Sequence, residues 1–513
     1  MPSLRRLASL GLALAVACTK PPAGKEAAPT DAATAAATGG PAHDASEGSP
    51  AAATDEKAAP ADGCTDWSTL DPASLPPLPA SPYTDTFEAV WNVVREKHFD
   101  PTLGCLDWPA LRLEYGRKVA AAKNPAEAYG AIREMLGKLG QSHFALIADD
   151  EGRARGDGHL PFSLRWIEGA AVVTRSPDFD GPATVTGTLP GGRPHVAPRR
   201  EDPGAVPPGS EVIAIDGQDV ASAVKAAEAR DGVGTEAFRI RRALDELASC
   251  VPGTPVEVVV RPPLEETTRT YRVRCVAEAG ETVSLGHLRN VPTRVEHRMV
   301  PGTKIGVVAF NVWMLPMVPR IEAAVAELRR RGARAMILDL RGNPGGVGAM
   351  SVPVARLFLR DGGSLGKLRF RTFEQAFNVM PNPDAFDGPL AILVDEGTGS
   401  TSEIFAMGMQ ALGRAIVVGG GPSAGAALPS LIESLPGGAR LQFVVGAYEA
   451  PGGGEAEGQG VRPDVPVTER ASAFARGEDP VLDAAVRVLQ ERLAEGTTAS
   501  PTGDGRGTMA PAN

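Results

Sequence analysis

Apolar residues recur at helix-like spacing in the part of the chain that runs from Tyr83 to about Leu146. The clearest series is Phe87, Val90, Trp91, Val94 and Phe99. This spacing puts most of these side chains on one face of a helix, where they can be buried together. We therefore predict a helical N-terminal domain over residues 64–150.

Residues 160–276 follow a different pattern, in which short apolar runs are broken by Gly and Pro. Such runs are typical of β-strands joined by tight turns. The runs at 256–260 and 270–275 are predicted to pair as a hairpin. We assign residues 155–277 to a small β domain.

From Lys304 onward, predicted strands alternate with predicted helices. This alternation implies βαβ crossovers and a largely parallel sheet with helices on its faces. The strands are predicted at 305–310, 335–340, 391–394 and 415–418, and the helices at 319–331, 400–412 and 480–493. We assign residues 278–493 to an α/β core and residues 494–513 to a disordered tail. The fold class is multi-domain α+β.

The first 17 residues have the plan of a signal peptide. Arg5 and Arg6 precede an apolar run that is too short to span a membrane. The run ends at Ala17-Cys18, in a sequence similar to a bacterial lipobox, where cleavage leaves the cysteine as a lipid-carrying N-terminus. We predict residues 1–17 as a lipoprotein signal peptide and residues 18–63, rich in Ala, Pro and Thr, as a disordered tether. An ordinary secretory signal with a chance cysteine is the alternative.

Export also bears on the remaining four cysteines, because an oxidising compartment permits disulfides. Cys64, Cys105, Cys250 and Cys275 form an even set with three possible pairings. Cys64–Cys105 with Cys250–Cys275 is the simplest pairing, and four buried free thiols are the alternative. The expected location is the bacterial cell envelope, with the chain anchored by lipid to a membrane.

Charge and composition exclude several function classes. The formal net charge of −10 argues against nucleic acid as a partner. The seven histidines and five cysteines include no Cys-x-x-Cys and no His-Glu-x-x-His motif, so we expect no metal site. No organic cofactor is implied, and nothing in the sequence specifies an oligomeric state.

The strongest local signal for chemistry is the segment 393–403, where a predicted strand runs into a glycine-bracketed turn. Ser400 stands at the start of the following helix, where unpaired N–H groups can stabilise a developing oxyanion. Ser400 and Glu403 also have the spacing of a helix capping box, so a structural role is equally open at this point. A second strand, 337–340, ends in a glycine-rich loop that would reach the same rim of the sheet.

These segments together resemble a known family. The sequence 339–346 followed by 397–403 is similar to the C-terminal processing, or tail-specific, serine peptidases. Residues 208–217 resemble the PDZ domain that these enzymes insert before the catalytic core, which makes the small β domain PDZ-like. Residues 87–143 resemble the helical part of the tricorn-core branch. The resemblance continues in two C-terminal motifs, 457–464 and 478–482.

One departure from the family pattern changes the expected chemistry. Most tail-specific enzymes pair their serine with a lysine, whose place falls here on Gly425. No lysine occurs after Lys367, so a serine–lysine dyad of that kind is excluded.

The tricorn-core branch instead uses a Ser-His pair before the PDZ region and a glutamate near the end of the core. The resemblance carries these roles to Ser142, His143 and Glu457, with His143 as the general base and Ser400 as the nucleophile. Ser402 is the fallback nucleophile. The backbone N–H groups expected to form the oxyanion hole are those of Thr401 and of Gly345 or Gly346.

The resemblance thus implies an exported serine endopeptidase that cleaves peptides or unfolded protein chains through an acyl-enzyme. Its partners would be such substrates, and the membrane through a lipid on Cys18. A second hypothesis is a catalytically inactive lipoprotein with the peptidase fold that binds a ligand or peptide, with Ser400 kept only as a helix cap. An esterase is a weaker hypothesis, because the usual Gly-x-Ser-x-Gly elbow is absent.

Overall fold

A computed structural model describes residues 63–147, 158–176, 184–188, 194–197, 205–229, 232–285 and 288–498 of the chain. The predicted signal peptide, the lipidation site Cys18, nearly all of the predicted tether, and the tail from residue 499 onward lie outside these residues.

The N-terminal region contains three helices and one short strand. Trp91 and Trp108 are fully buried at its centre, and their rings stack at 6.2 Å. Four residues of the predicted apolar series are buried on the first helix, whereas Phe99 follows that helix and is half-buried. The last helix ends at Gly137, and Leu146 lies in a strand instead of a helix. The Cys64–Cys105 disulfide joins this region across a Cα–Cα distance of 5.2 Å. The elements are α1 (Thr84–Lys97), α2 (Trp108–Ala121), α3 (Pro125–Gly137) and β1 (Ala145–Ile147).

The next region is a small β domain with two helices. The elements are β2 (Gly158–His159), β3 (Ser163–Ile167), β4 (Ala170–Arg175), β5 (Thr184–Thr188), β6 (Pro194–Ala197), β7 (Glu211–Ile215), β8 (Gln218–Asp219), α4 (Val220–Glu228), α5 (Glu236–Ala248), β9 (Pro255–Arg261), β10 (Arg269–Arg274) and β11 (Val276–Ala277).

The main sheet of this β domain has the strand order β10-β9-β7-β4-β3, with β8 paired to β7. The predicted hairpin is confirmed, since β9 and β10 pair antiparallel from Pro255 with Arg274 to Val260 with Arg269. The Cys250–Cys275 disulfide closes the base of this hairpin. Helices α4 and α5 pack against each other, and their buried residues include Val224 and Leu244.

The rest of the chain forms the α/β core. Its elements are β12 (Glu281–Leu285), β13 (Leu288–Thr293), β14 (Val295–Met299), β15 (Ile305–Phe310), α6 (Val318–Arg330), β16 (Ala335–Asp339), α7 (Ser351–Arg356), β17 (Gly363–Phe370), β18 (Glu374–Val379), β19 (Leu390–Val394), α8 (Thr401–Ala411), β20 (Ile416–Gly419), β21 (Ser430–Ser434), β22 (Arg440–Val444), β23 (Gly446–Glu449), β24 (Val465–Pro466), α9 (Ala471–Ala475) and α10 (Pro480–Thr498).

The central sheet of the core has the order β14-β15-β16-β19-β20-β24, and every pair in it except β14–β15 is parallel. Strands β15, β16 and β19 are apolar almost throughout because helices cover both faces of the sheet. Helices α6, α7 and α8 bury one face, and α10 buries the other. The predicted βαβ pattern is confirmed here.

The core differs from the sequence prediction in the length of α10, which includes residues 494–498 of the predicted disordered tail, and in its antiparallel strands. Helix α10 continues to Thr498, five residues beyond the predicted end at 493. The last large apolar residue of its stripe is Leu493, so the apolar pattern stops before the helix does. The chain between β16 and β19 also contains an unpredicted antiparallel hairpin, β17–β18, which pairs with β23 as a separate sheet.

The helical N-terminal region is joined directly to the core. Strand β1 pairs antiparallel with β22, which pairs in turn with β21. The apolar residues Leu441 and Phe443 of β22 are buried in the same cluster as Trp91. The loop that precedes β1 is therefore held at the surface of the core.

Candidate active site

Ser400 lies at the junction between β19 and helix α8, as the N-cap residue of the helix. Its backbone has φ 53° and ψ −119°, a conformation that non-glycine residues rarely adopt and that costs about 1–3 kcal/mol. The turn projects the Ser400 side chain into the interior of the site, where the residue is 1% exposed. Such strain is retained where the surrounding structure fixes it, as at many active sites.

A chain of hydrogen bonds leads away from the Ser400 hydroxyl. Ser400 Oγ lies 3.2 Å from His143 Nε2, and His143 Nδ1 lies 2.6 Å from Ser142 Oγ. The Ser142 hydroxyl donates to Glu457 Oε2 at 2.8 Å. Four residues from three distant parts of the sequence therefore form one connected polar series.

His143 lies in the loop between α3 and β1. The resemblance placed His143 at the end of the helical part, residues 87–143, but α3 ends six residues before it, at Gly137. His143 has a left-handed φ of 62°, so its ring also depends on a strained backbone position. Pairing of β1 with β22 fixes the loop on its C-terminal side.

His98 contacts the same loop through Gln141. It is fully buried, and its Nε2 lies 2.7 Å from the side-chain oxygen of Gln141, the residue before Ser142. His98 Nδ1 lies 2.9 Å from the Asp100 carbonyl oxygen, which can only accept, so the neutral ring carries its hydrogen on Nδ1. Burial lowers the pKa of His98, which favours this neutral form.

Glu457 follows β23 and reaches back to the Ser142-His143 loop. Its carboxylate accepts hydrogen bonds from the Ser142 N–H at 2.7 Å and from the Ala427 N–H at 3.0 Å, in addition to the Ser142 hydroxyl. Burial raises the pKa of Glu457, although these three donors oppose the rise. Glu457 therefore fixes Ser142 through both its backbone and its side chain.

The glycine-rich loop after β16 lies beside Ser400. A Cβ atom on Gly345 would lie 2.6 Å from Ser400 Cβ and 2.9 Å from the Thr401 nitrogen, so only glycine leaves space beside the Thr401 N–H. The Gly345 N–H itself donates to Asn343 Oδ1 at 3.0 Å. Gly345 thus leaves the space beside Ser400 open, but its own N–H is bonded to Asn343 and is not available to an oxyanion.

Gly346, the second glycine of this loop, contacts both Trp313 and Thr401. It forms a parallel bridge with Trp313 in which the neighbouring residues Gly345 and Val347 make the hydrogen bonds to Trp313. The N–H and C=O of Gly346 consequently point to the opposite side, where its C=O accepts the Thr401 hydroxyl at 2.9 Å. The backbone of Gly346 is therefore held against the first residue of α8.

The structure has no room for a lysine side chain at Gly425, the position of the family's lysine. Gly425 has a φ of 69°, and a Cβ atom there would lie 3.0 to 3.2 Å from backbone atoms of residues 458–460. A longer side chain would meet the same segment that carries Glu457. The segment that supplies the glutamate therefore takes the space into which a lysine at 425 would extend.

Ser402, the fallback nucleophile, is bound elsewhere. Its hydroxyl donates to the Asn343 carbonyl at 3.0 Å and accepts the Trp313 indole N–H at 2.8 Å. Both contacts are fully buried. They join α8 to the glycine-rich loop, so the geometry contradicts a nucleophilic role for Ser402.

Glu403 has more contacts than the capping box that the sequence indicated. Besides the Ser400 N–H at 3.0 Å, its carboxylate accepts the Ser423 hydroxyl at 2.6 Å and the N–H groups of Gly425 at 2.7 Å and Ala426 at 2.9 Å. Burial raises the pKa of Glu403 to about 7, and the nearby Glu457 adds to the rise while the hydrogen bonds from 423–426 oppose it. The spacing of Ser400 and Glu403 was the only signal of this group in the sequence.

The β domain contacts the core next to the nucleophile turn. Arg165 in β3 bonds Glu396 at 2.7 Å and Glu469 at 2.6 Å, and Arg241 in α5 lies 3.8 Å from Glu396. Burial by itself would raise the pKa of Glu396, but the two arginines outweigh it and lower the pKa, so Glu396 stays charged. Thr235, at the start of α5, donates its N–H to the Ala424 carbonyl at 2.8 Å.

Within the described residues, no cluster of three or more His, Cys, Asp or Glu side chains could hold a metal ion. A search of the same residues finds no helix that is both long and apolar enough to cross a membrane.

Two family models match the sequence. That of peptidase family S41 matches residues 304–467, and that of the tricorn protease C1 domain matches residues 79–137. A carboxyl-terminal-processing protease from Picosynechococcus sp. is 25% identical over 393 residues, covering 76% of this chain and 84% of that protein. The chloroplastic carboxyl-terminal-processing peptidase 3 from Arabidopsis thaliana is 26% identical over 393 residues, covering 75% and 68%.

The crystal structure of mature CPAF has the same fold, with a TM-score of 0.55 and 14% sequence identity over 82% of this chain and 99% of that one. These similarities do not favour the alternative of an inactive binding scaffold.

Proposed function

Because this chain is a serine-type peptidase of family S41, related to the carboxyl-terminal-processing proteases, we propose that Ser400 cleaves peptide bonds in peptides or unfolded chains outside the cytoplasm. The observation that supports this proposal is the hydrogen-bond series from Ser400 through His143 and Ser142 to Glu457. It has the nucleophile, base and orienting groups that acyl transfer requires.

In the first step, Ser400 Oγ attacks the carbonyl carbon of the scissile peptide while its proton passes to His143 Nε2. The Nδ1–H of His143 donates to Ser142 Oγ, and the Ser142 hydroxyl donates to Glu457. This arrangement keeps Nε2 as the acceptor and stabilises the imidazolium once it forms.

The carbonyl oxygen becomes an oxyanion that accepts hydrogen bonds from the Thr401 and Gly346 N–H groups. When the tetrahedral intermediate collapses, the C–N bond breaks and His143 gives its proton to the leaving amine. A water molecule then attacks the acyl ester while His143 takes its proton. As the ester C–O bond breaks, His143 returns that proton to Ser400 Oγ, and the new carboxylic acid is released.

We also propose that the small β domain is PDZ-like and controls access to this site. Ser400 and His143 are almost fully buried, so a substrate requires some opening of the surface. The β domain touches both the turn that carries Glu396 and the segment that carries Ala424. A sheet in that position could add a substrate strand to its edge or withdraw to open the site.

The peptidase proposal predicts cleavage of an unfolded protein, such as a reduced and alkylated polypeptide, with new peptide ends identified by mass spectrometry. A fluorophosphonate probe should label the protein and stop that cleavage, since an activated serine displaces its fluoride and becomes phosphonylated. The same polypeptide in its folded state serves as the control. A folded protein that neither cleaves the unfolded chain nor takes up the probe would contradict the proposal.

Export and lipidation are proposed from the sequence of residues 1–18, and the two disulfides of the described part suit an oxidising compartment. The mature chain is expected to begin at Cys18 and to carry acyl chains, which intact mass and membrane fractionation would detect. Cys18→Ser should leave an unprocessed or soluble chain. A Cys18→Ser protein with the same mass shift and membrane association as the wild type would exclude the lipid anchor.

A further inference from the structure

Glu403 is a fully buried carboxylate that takes no part in the proton transfers described above. It lies three residues after the nucleophile, on the first turn of α8. All four of its hydrogen-bond partners are donors, three of them backbone N–H groups and one the Ser423 hydroxyl. An ionised carboxylate satisfies this set, because it offers acceptors only.

The four donors come from two different parts of the chain. One is the N–H of Ser400 itself, and the other three belong to the segment 423–426, which follows β20. Ala426 is bound in both directions, since its N–H donates to Glu403 and its C=O accepts the Ser400 N–H at 2.8 Å. Glu403 therefore joins the strained Ser400 turn to this segment.

The same segment continues to the other half of the site. The next residue, Ala427, donates its N–H to Glu457, which holds Ser142 beside His143. Two buried carboxylates thus hold one stretch of backbone, Glu403 on the side of Ser400 and Glu457 on the side of the base. The relative position of nucleophile and base depends on that stretch.

We propose that Glu403 is a positioning residue, whose ionised carboxylate holds the Ser400 turn against residues 423–426 and so keeps Ser400 Oγ within reach of His143. Protonation of Glu403 weakens this connection and reduces the reactivity of Ser400. The inference rests on the proposed function of Ser400 and His143, and adds a residue that neither contacts substrate nor transfers a proton.

A proton on Glu403 has one acceptor among these partners, the Ser423 hydroxyl, which already accepts the Val461 N–H at 2.7 Å. The ionisable group that acts on Glu403 is Glu457, from the segment after β23, while His143, from the loop before β1, bonds Ser400 Oγ. Residues 423–427 contribute no ionisable side chain. With a pKa near 7, Glu403 loses its charge as the pH falls through neutrality, in the range where activity would be measured.

The first test is Glu403→Gln, compared with the wild type by peptide hydrolysis and by the rate of fluorophosphonate labelling between pH 5 and 9. Glutamine keeps one accepting oxygen but replaces the other by an NH₂ group that faces donors, so only half of the carboxylate's hydrogen bonds can form. We expect kcat to fall about 10–100-fold with KM within about threefold, as for a small displacement of a catalytic group. The part of the activity loss at acidic pH that arises from protonation of Glu403 should then be absent.

The second variant, Ser423→Ala, removes one donor that favours the charged carboxylate and should move the acidic limb of labelling to higher pH. Ser430→Ala is the matched control, because Ser430 is also buried and loses one hydrogen bond, to Gln442 in β22. Its profile should match the wild type. Glu403→Asp should recover part of the lost rate, since it restores the acceptor charge.

A structural role alone would lower the melting temperature of the Glu403 and Ser423 variants while leaving labelling per folded molecule and its pH profile unchanged. That result would overturn the inference. If the wild type is labelled and the pH profiles of the variants are unshifted, only this inference is overturned. If the folded wild type is not labelled, the proposed function is overturned and this inference with it.

Discussion

Replacing Ser400 with alanine is expected to lower kcat for peptide cleavage by about 10⁴–10⁶-fold, the range found when a serine nucleophile is removed from a hydrolase of this kind. Alanine has no oxygen to attack the scissile carbonyl, so an acyl-enzyme cannot form. The measurement is the initial rate on an unfolded polypeptide, with fluorophosphonate labelling as an independent readout. Both should be lost while the melting temperature stays near that of the wild type.

Ser402→Ala distinguishes the two serines of this turn. Its hydroxyl bonds Trp313 and the Asn343 carbonyl, so the change should lower stability by about 1–3 kcal/mol by leaving a buried donor unpaired. Labelling of the folded fraction should persist. Loss of labelling in Ser402→Ala together with retention in Ser400→Ala would reverse the assignment of the nucleophile.

The sequence predicted those elements in which burial follows a regular pattern along the chain. Strands β15, β16 and β19 are buried on both faces and appear as unbroken apolar runs. The pairing of β1 with β22 could not be predicted in this way, because it joins Ala145 to Gln442 and depends on contacts between distant segments. The same pairing explains why the chain at Leu146 is a strand although its apolar spacing suggested a helix.

The candidate site divides along similar lines. Ser400, His143 and Glu457 could be predicted as site residues because motifs in the family's order point to these positions. For Glu403, the sequence could indicate only the partner three residues away, as a capping box. Its other three partners lie 20 to 23 residues away, and no local pattern connects them to Glu403. Its altered titration comes from burial, which no local pattern reports. The hydrogen bond from Gly345 to Asn343 was equally invisible, since it depends on the conformation of one loop.

Replacing His143 with alanine should reduce kcat about as much as Ser400→Ala does, by about 10⁴–10⁶-fold, because the two residues act as one unit. Without His143 Nε2, no group takes the Ser400 proton during attack, and Ser142 and Glu457 have no ring to orient. The variant should also lose fluorophosphonate labelling between pH 6 and 9. His297→Ala, which removes an exposed histidine of β14, is the matched control and should behave as the wild type.

The double variant decides whether Ser400 and His143 belong to one mechanism. If His143 acts only by activating Ser400, then Ser400→Ala/His143→Ala should be no slower than either single variant, since the second change removes a function already lost. Two large, multiplying losses would instead mean that His143 acts independently of Ser400, for example on substrate binding. A His143→Ala protein that keeps its labelling rate would exclude His143 as the base. No lysine follows Lys367, so a lysine base of the usual family kind could not explain such a result.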